Sequence, residues 1–421
     1  MTQCISSQET VEVQQISTKN YFSLCGIRFC SSVVLWLDFI LIFSTLTFIF
    51  DASAQTLALA ASLYGIPALL FGPYLGSLAD RFNPCIIISV SFCIRFIASC
   101  ALFAAPSVEL FLAFTMLKGL SNLGSTAAEV VLTRNLLTAP QIIRNTSLIM
   151  IIDQTVKIVS PLAAGILTGL SFKSAGFLLS AFVCLCGLLF VTLLSARIMR
   201  SEATCPLIPK TSNRQIYSFF KKQLTARIFL MCILSQSAAL GLYDSLLSLL
   251  LKGNGQSATS FGVIVSATAL GGIFAGFLFP RFYRSGSRIC STIASMCFGL
   301  AVLAVGSLSF FPAYFELNLL SLLFLLAGFA YGLTTQGLTT TLQLTCPPNK
   351  LGTTFATVRT LSIALFISFP ILGGWLAELA NIASVLLAAG ISTTLIACTL
   401  HVTHRTNHSE STSIRDSATI D

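Results

Sequence analysis

Apolar runs long enough to cross a bilayer follow one another from residue 25 to residue 402, and the connections between them are too short to build a water-exposed domain. A spanning helix needs about 20 such residues, and each span with its connection takes about 30. Hydrophobic residues make up 55% of the chain and charged residues 9%, against about 25% charged in soluble domains. Mean hydropathy is +0.87. These values exclude a water-soluble fold, and the abundance of Leu, Ile, Val and Phe excludes disorder. An all-α polytopic membrane protein is predicted.

Spans are expected near 25–50, 54–78, 85–105, 109–132, 146–170 and 174–196, then 225–251, 258–280, 289–311, 317–343, 354–377 and 380–402, twelve in all. They divide the chain into a segment 1–24, a six-helix bundle 25–196, a basic linker 197–224, a second six-helix bundle 225–402 and a tail 403–421. The first 20 residues lack the basic start and short apolar core of a cleavable signal. Basic residues resist translocation. With the termini and linker cytoplasmic, 18 of the 24 Lys and Arg lie on that side, Arg28, Arg81 and Arg134 among them, against Lys173 and Lys252 outside. An odd number of spans would break that asymmetry.

The chain repeats itself. GPYLGSLADRF at 72–82 aligns without gaps to GIFAGFLFPRF at 272–282, and SPLAAGILTGL at 160–170 aligns to FPILGGWLAEL at 369–379. Each pair falls on the same helix of its half, the second and the fifth. Two halves in one orientation around a shared site is the parallel-repeat plan of many secondary transporters.

The segment Gly72-Pro73-Tyr74-Leu75-Gly76-Ser77-Leu78-Ala79-Asp80-Arg81-Phe82 resembles the loop motif between the second and third helices of the major facilitator superfamily. Gly76 would admit a neighbouring helix at close range. Asp80 would sit against a helix N-terminus, that of the eleventh span near Thr353, or pair with Arg134. Such a latch, with Gly72, Gly76, Asp80, Arg81 and Arg134, would hold a cytoplasmic gate shut. The family usually has further basic residues where Asn83, Pro84 and Cys85 follow here. Within the superfamily the sequence is most similar to the bacterial efflux branch of macrolide and siderophore exporters, with a weaker likeness to lysophospholipid transporters. Ser160-Pro161 with Gly165 keeps part of that branch's antiporter motif. The resemblance implies a monomeric protein of the cell inner membrane.

A charge in the bilayer costs at least about 2.5–3.5 kcal/mol, so intramembrane ionisable groups are functional candidates. Lys118, Asn122, Ser125 and Glu129 share one face of the fourth span; Ser31, Asp38 and Thr45 share one on the first, Ser237, Asp244 and Ser248 on the seventh, Gln336, Thr340 and Gln343 on the tenth. The resemblance implies that these four helices line the central cavity. Asp38, Glu129 and Asp153 are the candidate proton carriers, since a carboxylate in a low-dielectric cavity can exchange protons; the alternative for Asp38 is a structural hydrogen bond. Lys118, Asn122, Ser125, Asp244, Gln336 and Thr340 are the candidate substrate contacts, with Lys118 a counter-charge either to Asp38 or to an anionic substrate. Asp153 and Lys157, one turn apart, read as a self-neutralising pair. Arg95 is expected to pair with a carboxylate of another helix, and Arg359 to snorkel to the cytoplasmic face.

No phosphate loop, HExxH or GxSxG motif is present, so neither nucleotide hydrolysis by that route nor an enzyme is expected. None of the 14 Cys has CxxC spacing, and His401, His404 and His408 fall where the last span leaves the bilayer and read as an interfacial tail, so no metal or cofactor is expected. The basic linker is explained by the anionic membrane surface and not by nucleic acid. The expected function is proton-coupled export of an amphipathic small molecule; the alternatives are import of a nutrient or lysophospholipid, and a transport-inactive receptor with this fold.

Overall fold

The computed structural model describes residues 18–169, 175–199, 213–256, 258–284, 287–311 and 314–417. Most of the expected segment 1–24, the middle of the linker 197–224 and the end of the tail 403–421 lie outside the described residues. Among those described, the chain is helical with no strand. The first half comprises α1 (Thr18–Phe48), α2 (Ala54–Arg81), α3 (Pro84–Ala104), α4 (Val108–Leu136), α5 (Ala139–Gly169) and α6 (Ala175–Met199). A short α7 (Asn213–Lys222) leads into α8 (Leu224–Tyr243), which a 3-10 turn at Asp244–Leu246 joins to α9 (Leu247–Gly253). Then follow α10 (Ala258–Arg284), α11 (Ser287–Leu308), α12 (Leu317–Thr345), α13 (Leu351–Leu379) and α14 (Ile382–Ser417).

Local chemistry sets the helix starts. Ser53 Oγ accepts from Thr56 N–H at 3.3 Å and opens α2. Asn83 Oδ1 accepts from Cys85 N–H at 2.9 Å, with Pro84 in the first turn of α3. Asn83 and Pro84, where the family has further cations, are therefore a side-chain cap and a residue whose fixed φ suits the first helical position.

Ten helices among the described residues, counting α8 through α9 as one, are long and apolar enough to cross a membrane. Outside that set stand α4 and α5, 29 and 31 residues long. Length does not separate them. Glu109, Lys118, Glu129 and Arg134 on α4, and Arg144, Asp153 and Lys157 on α5, lower their hydropathy. Large apolar side chains such as Phe182, Phe277 and Ile371 are exposed on the outside, as expected where lipid is the solvent.

Within the first half α1 packs on α5 and α6, α2 on α4, and α3 on α4 and α6; within the second, α10 packs on α12, α11 on α12 and α14, and α8 on α13. Two seams join the halves, α2 against α13 and α5 against α10. Small residues permit both. A Cβ on Gly76 would stand 2.6 Å from Gly352 O, and one on Gly276 would stand 3.1 Å from Ser147 O. Gly72 faces Thr360 on the first seam and Gly272 faces Gln154 on the second. The glycines aligned in the sequence repeat thus occupy matching places on the two seams. In lipid, close packing replaces hydrophobic drive as the force between helices, so each methyl at such a seam counts.

Candidate functional site

Hydrogen bonds between the halves gather at the end of the molecule where α7 lies. Asp80, one residue before the end of α2, accepts from Gly352 N–H at 2.6 Å, Thr353 N–H at 2.8 Å and Thr353 Oγ1 at 2.5 Å. These groups form the N-terminus of α13, whose orphan donors and positive dipole end suit a carboxylate. Arg81 ends α2 as a cation in its last turn. Arg134 does not join Asp80; its guanidinium donates to the carbonyl of Cys346 after α12. Gln343 Nε2 on α12 donates to Val130 O on α4 at 3.2 Å. The linker-side end is closed by contacts from α2 and α4 to α12 and α13.

Inward from that closure, charges of the first half form a connected chain. Arg28 Nη1 lies 3.0 Å from Glu129 Oε2, and its Nη2 is paired with Asp153. Ser31 Oγ donates to Glu129 Oε1 at 2.6 Å. Arg95 donates to Ser125 Oγ at 2.6 Å and to Ser31 Oγ at 3.5 Å. This arrangement corrects three expectations. Arg28 is no loop cation: it lies ten residues into α1, on the face that carries Ser31, and neutralises two carboxylates. Asp153 is paired with Arg28, while Lys157 lies 5.3 Å from the centre of the Trp36 ring, so the Asp153–Lys157 pair does not form. Arg95 is 2% exposed and bonds serines; among the described residues it makes no ion pair.

Deeper still, Asp38 and Lys118 form a sealed pair, Nζ to Oδ2 at 2.8 Å, with both side chains 0% exposed. Ser180 Oγ donates to Asp38 Oδ1 at 2.6 Å. Lys118 also donates to Ser99 Oγ and, at 3.3 Å, to Arg95 O. The pair faces α3 and α6, inside the first half. A buried pair with its remaining hydrogen bonds made is tolerated at this depth, whereas one member alone would not be.

Three cavities meet at Arg359 on α13. One of about 150 Å³ between the halves is lined by Arg28, Glu129, Asp153, Gln336 and Arg359. A second of about 150 Å³ includes Asn122, whose Nδ2 donates to Tyr64 Oη at 2.9 Å. The largest, about 510 Å³, lies mainly in the second half, with Asp244 and Lys157 in its wall beside Tyr243, Phe298, Tyr331 and Phe366. Asp244 stands where the helix breaks between α8 and α9, so its side chain reaches the cavity beside a 3-10 turn. Among the sequence candidates, Glu129, Asp153, Asn122, Asp244 and Gln336 are brought to cavity walls. Asp38, Lys118, Ser125 and Thr340 are buried in helix packing.

Arg359 does not snorkel. It is exposed, and the surface it presents is the wall of all three cavities. Its signal was available in the sequence: it lies seven residues, about 10 Å, beyond Gly352 in the capped N-terminus of α13, too deep for a surface cation.

The sequence profile of the Major Facilitator Superfamily matches residues 24–366. Among solved structures, a bacterial homologue of the iron transporter ferroportin in an outward-facing state superposes with TM-score 0.74 at 16% identity, over 91% of this chain and 99% of that one. The human organic anion transporter MFSD10 (TETRAN) does so with TM-score 0.67 at 14% identity, over 92% and 99%. No curated protein matches the chain. A profile spanning most of the sequence, apolar helices built around closed seams, and cavities where the halves meet lead to one conclusion: the chain is a multi-pass integral membrane transporter and belongs to the Major Facilitator Superfamily.

Proposed function

We propose that the protein is a twelve-span secondary transporter that exports an amphipathic small molecule in exchange for protons. In this reading α4 and α5 complete the twelve spans, the two halves 25–196 and 225–402 rock about a shared site, the termini and linker are cytoplasmic, and the protein works as a monomer in the cell inner membrane. The observation that carries the reading is Asp80 capping α13 across the boundary between halves. Such a bond holds the linker end shut, yet it leaves both helices intact when it breaks, as alternating access requires. The ferroportin homologue's outward-facing state supports assigning this closed linker end to the same conformation.

Proton exchange is assigned to Glu129 and Asp153. Both line a cavity and share one cation, Arg28, so protonating either leaves Arg28 partnered by the other. Asp38 answers to Lys118 instead and serves as a fixed counter-charge. Protein in proteoliposomes with an imposed proton gradient tests this reading through lumenal pH, with lipophilic cations, macrolides, siderophores and lysophospholipids added in turn. Export coupled to protons gives substrate-dependent proton movement opposite to substrate, abolished in Glu129→Gln with Asp153→Asn. Proton and substrate moving the same way indicates import, and no flux under any gradient returns the receptor reading.

A further inference from the structure

We propose that the pocket formed by Arg28, Arg95 and Arg359 binds the anionic headgroup of an amphipathic substrate, whose apolar body fills the adjoining aromatic cavity. The word substrate rests on the transport reading above; the pocket's chemistry does not.

The pocket has a volume of about 150 Å³ and draws one arginine each from α1, α3 and α13. Ser32, Tyr64 and Asn122 add hydroxyl and amide groups, and no carboxylate lines it among the described residues. Arg28 has its charge matched by Glu129 and Asp153. Arg95 and Arg359 make no ion pair among the described residues. The Nε–H groups of Arg28 and Arg95 and the hydroxyl of Ser32 are buried without a hydrogen-bond partner, although Arg95 and Ser32 are each only 2% exposed. Buried polar groups are ordinarily satisfied, so donors left open at a shared wall call for an acceptor. The planar guanidinium fork fits acceptors that offer two or more oxygens side by side: a carboxylate, sulfate or phosphate.

Arg359 and Ile363 also line the cavity of about 510 Å³, so the pocket adjoins a space of the size that small organic ligands occupy. The aromatic walls of that cavity suit an apolar body, and Asp244 and Lys157 in its wall carry opposite charges that offset one another. The ligand is therefore polarised, with its headgroup toward the first half.

Thermal unfolding of the purified full-length chain in a neutral detergent tests the pocket. The probes are an aryl-alkyl carboxylate, its primary amide, the ammonium of the same skeleton, an alkyl phosphate, and inorganic phosphate and sulfate. The expected result is saturable stabilisation by carboxylate and alkyl phosphate, with amide and ammonium at least tenfold weaker and the inorganic anions weak. Arg359→Gln should weaken the carboxylate at least tenfold and Arg359→Lys less, each variant referred to its own ligand-free melting temperature. Stabilisation led by the ammonium or amide, no response to any anion, or full carboxylate binding by Arg359→Gln would overturn the proposal. Inorganic phosphate binding as tightly as alkyl phosphate would overturn the apolar half of it. Flux of the same probes in proteoliposomes separates the two readings: transport of the ammonium alone removes the anion site and leaves the transporter, whereas anion binding without flux leaves the site and removes transport.

Discussion

Asp80 on α2 accepts from Thr353 N–H on α13 at 2.8 Å, so the last turn of one helix caps the first turn of another in the opposite half. The carboxylate fills a role usually taken by a residue next in sequence, and it makes the start of α13 depend on the closed arrangement. Breaking this contact exposes the donors of Gly352 and Thr353 and frees the linker end. A hydrogen bond to a charged group contributes about 1.5–3 kcal/mol.

Asp80→Asn should therefore shift the protein toward a linker-open state by a factor of about ten, since 1.4 kcal/mol is tenfold in an equilibrium. Cys346 reports it. That thiol is 1% exposed and, outside the helices, burial pushes it up to about 11, which keeps the thiolate fraction small at neutral pH. Opening removes the burial and lowers the value toward its ordinary range. Peptide-resolved alkylation at fixed pH should label Cys346 about tenfold faster in Asp80→Asn; equal rates would mean that Asp80 does not hold the closure.

Gly76 and Gly272 should answer differently to a single methyl. A Cβ on Gly76 meets the Gly352 carbonyl at 2.6 Å, and backbone cannot step aside; one on Gly272 meets Gln154 Cγ at 2.8 Å, on a side chain that can turn. Overpacking costs about 1–3 kcal/mol. Gly76→Ala should lower transport rate at least tenfold and raise Cys346 labelling, while Gly272→Ala stays within a few-fold of wild type in the same flux assay.

Asp38 and Lys118 should behave as a unit. Leaving either charge alone costs about 3–5 kcal/mol, whereas removing both leaves no uncompensated charge. Thermal unfolding of Asp38→Asn and of Lys118→Met should show large losses, and the double variant should recover most of the difference. Additive losses would mean that Ser99 and Ser180, not the ion pair, carry the stability.

Around Arg28 the expectation is graded. Glu129→Gln or Asp153→Asn leaves it one carboxylate at the existing site, so each single variant should melt within a few degrees of wild type. The double variant strands the guanidinium and should melt lower than the sum of the two. Simple additivity would show that Arg28 finds another partner, and a calorimetric or fluorescence melt of the four proteins decides it.

The chain's transmembrane, helical character was legible in the sequence, because burying a backbone in lipid demands long apolar runs and those runs are written residue by residue. The glycine repeat was legible too: Gly72 and Gly76 align with Gly272 and Gly276 by spacing alone, and close approach of helices needs no further information. The candidate site was only partly legible. Periodicity placed Asp38, Lys118, Asn122 and Glu129 on helix faces, but a face does not say which neighbour it meets. Only the tertiary structure decided that Asp38 and Lys118 turn toward α3 and α6, that Arg28 reaches Glu129 and Asp153 at separations of 101 and 125 residues, and that Arg359 faces the cavities. A buried charge takes the partner that packing brings within reach, and that choice is made between helices and not along them.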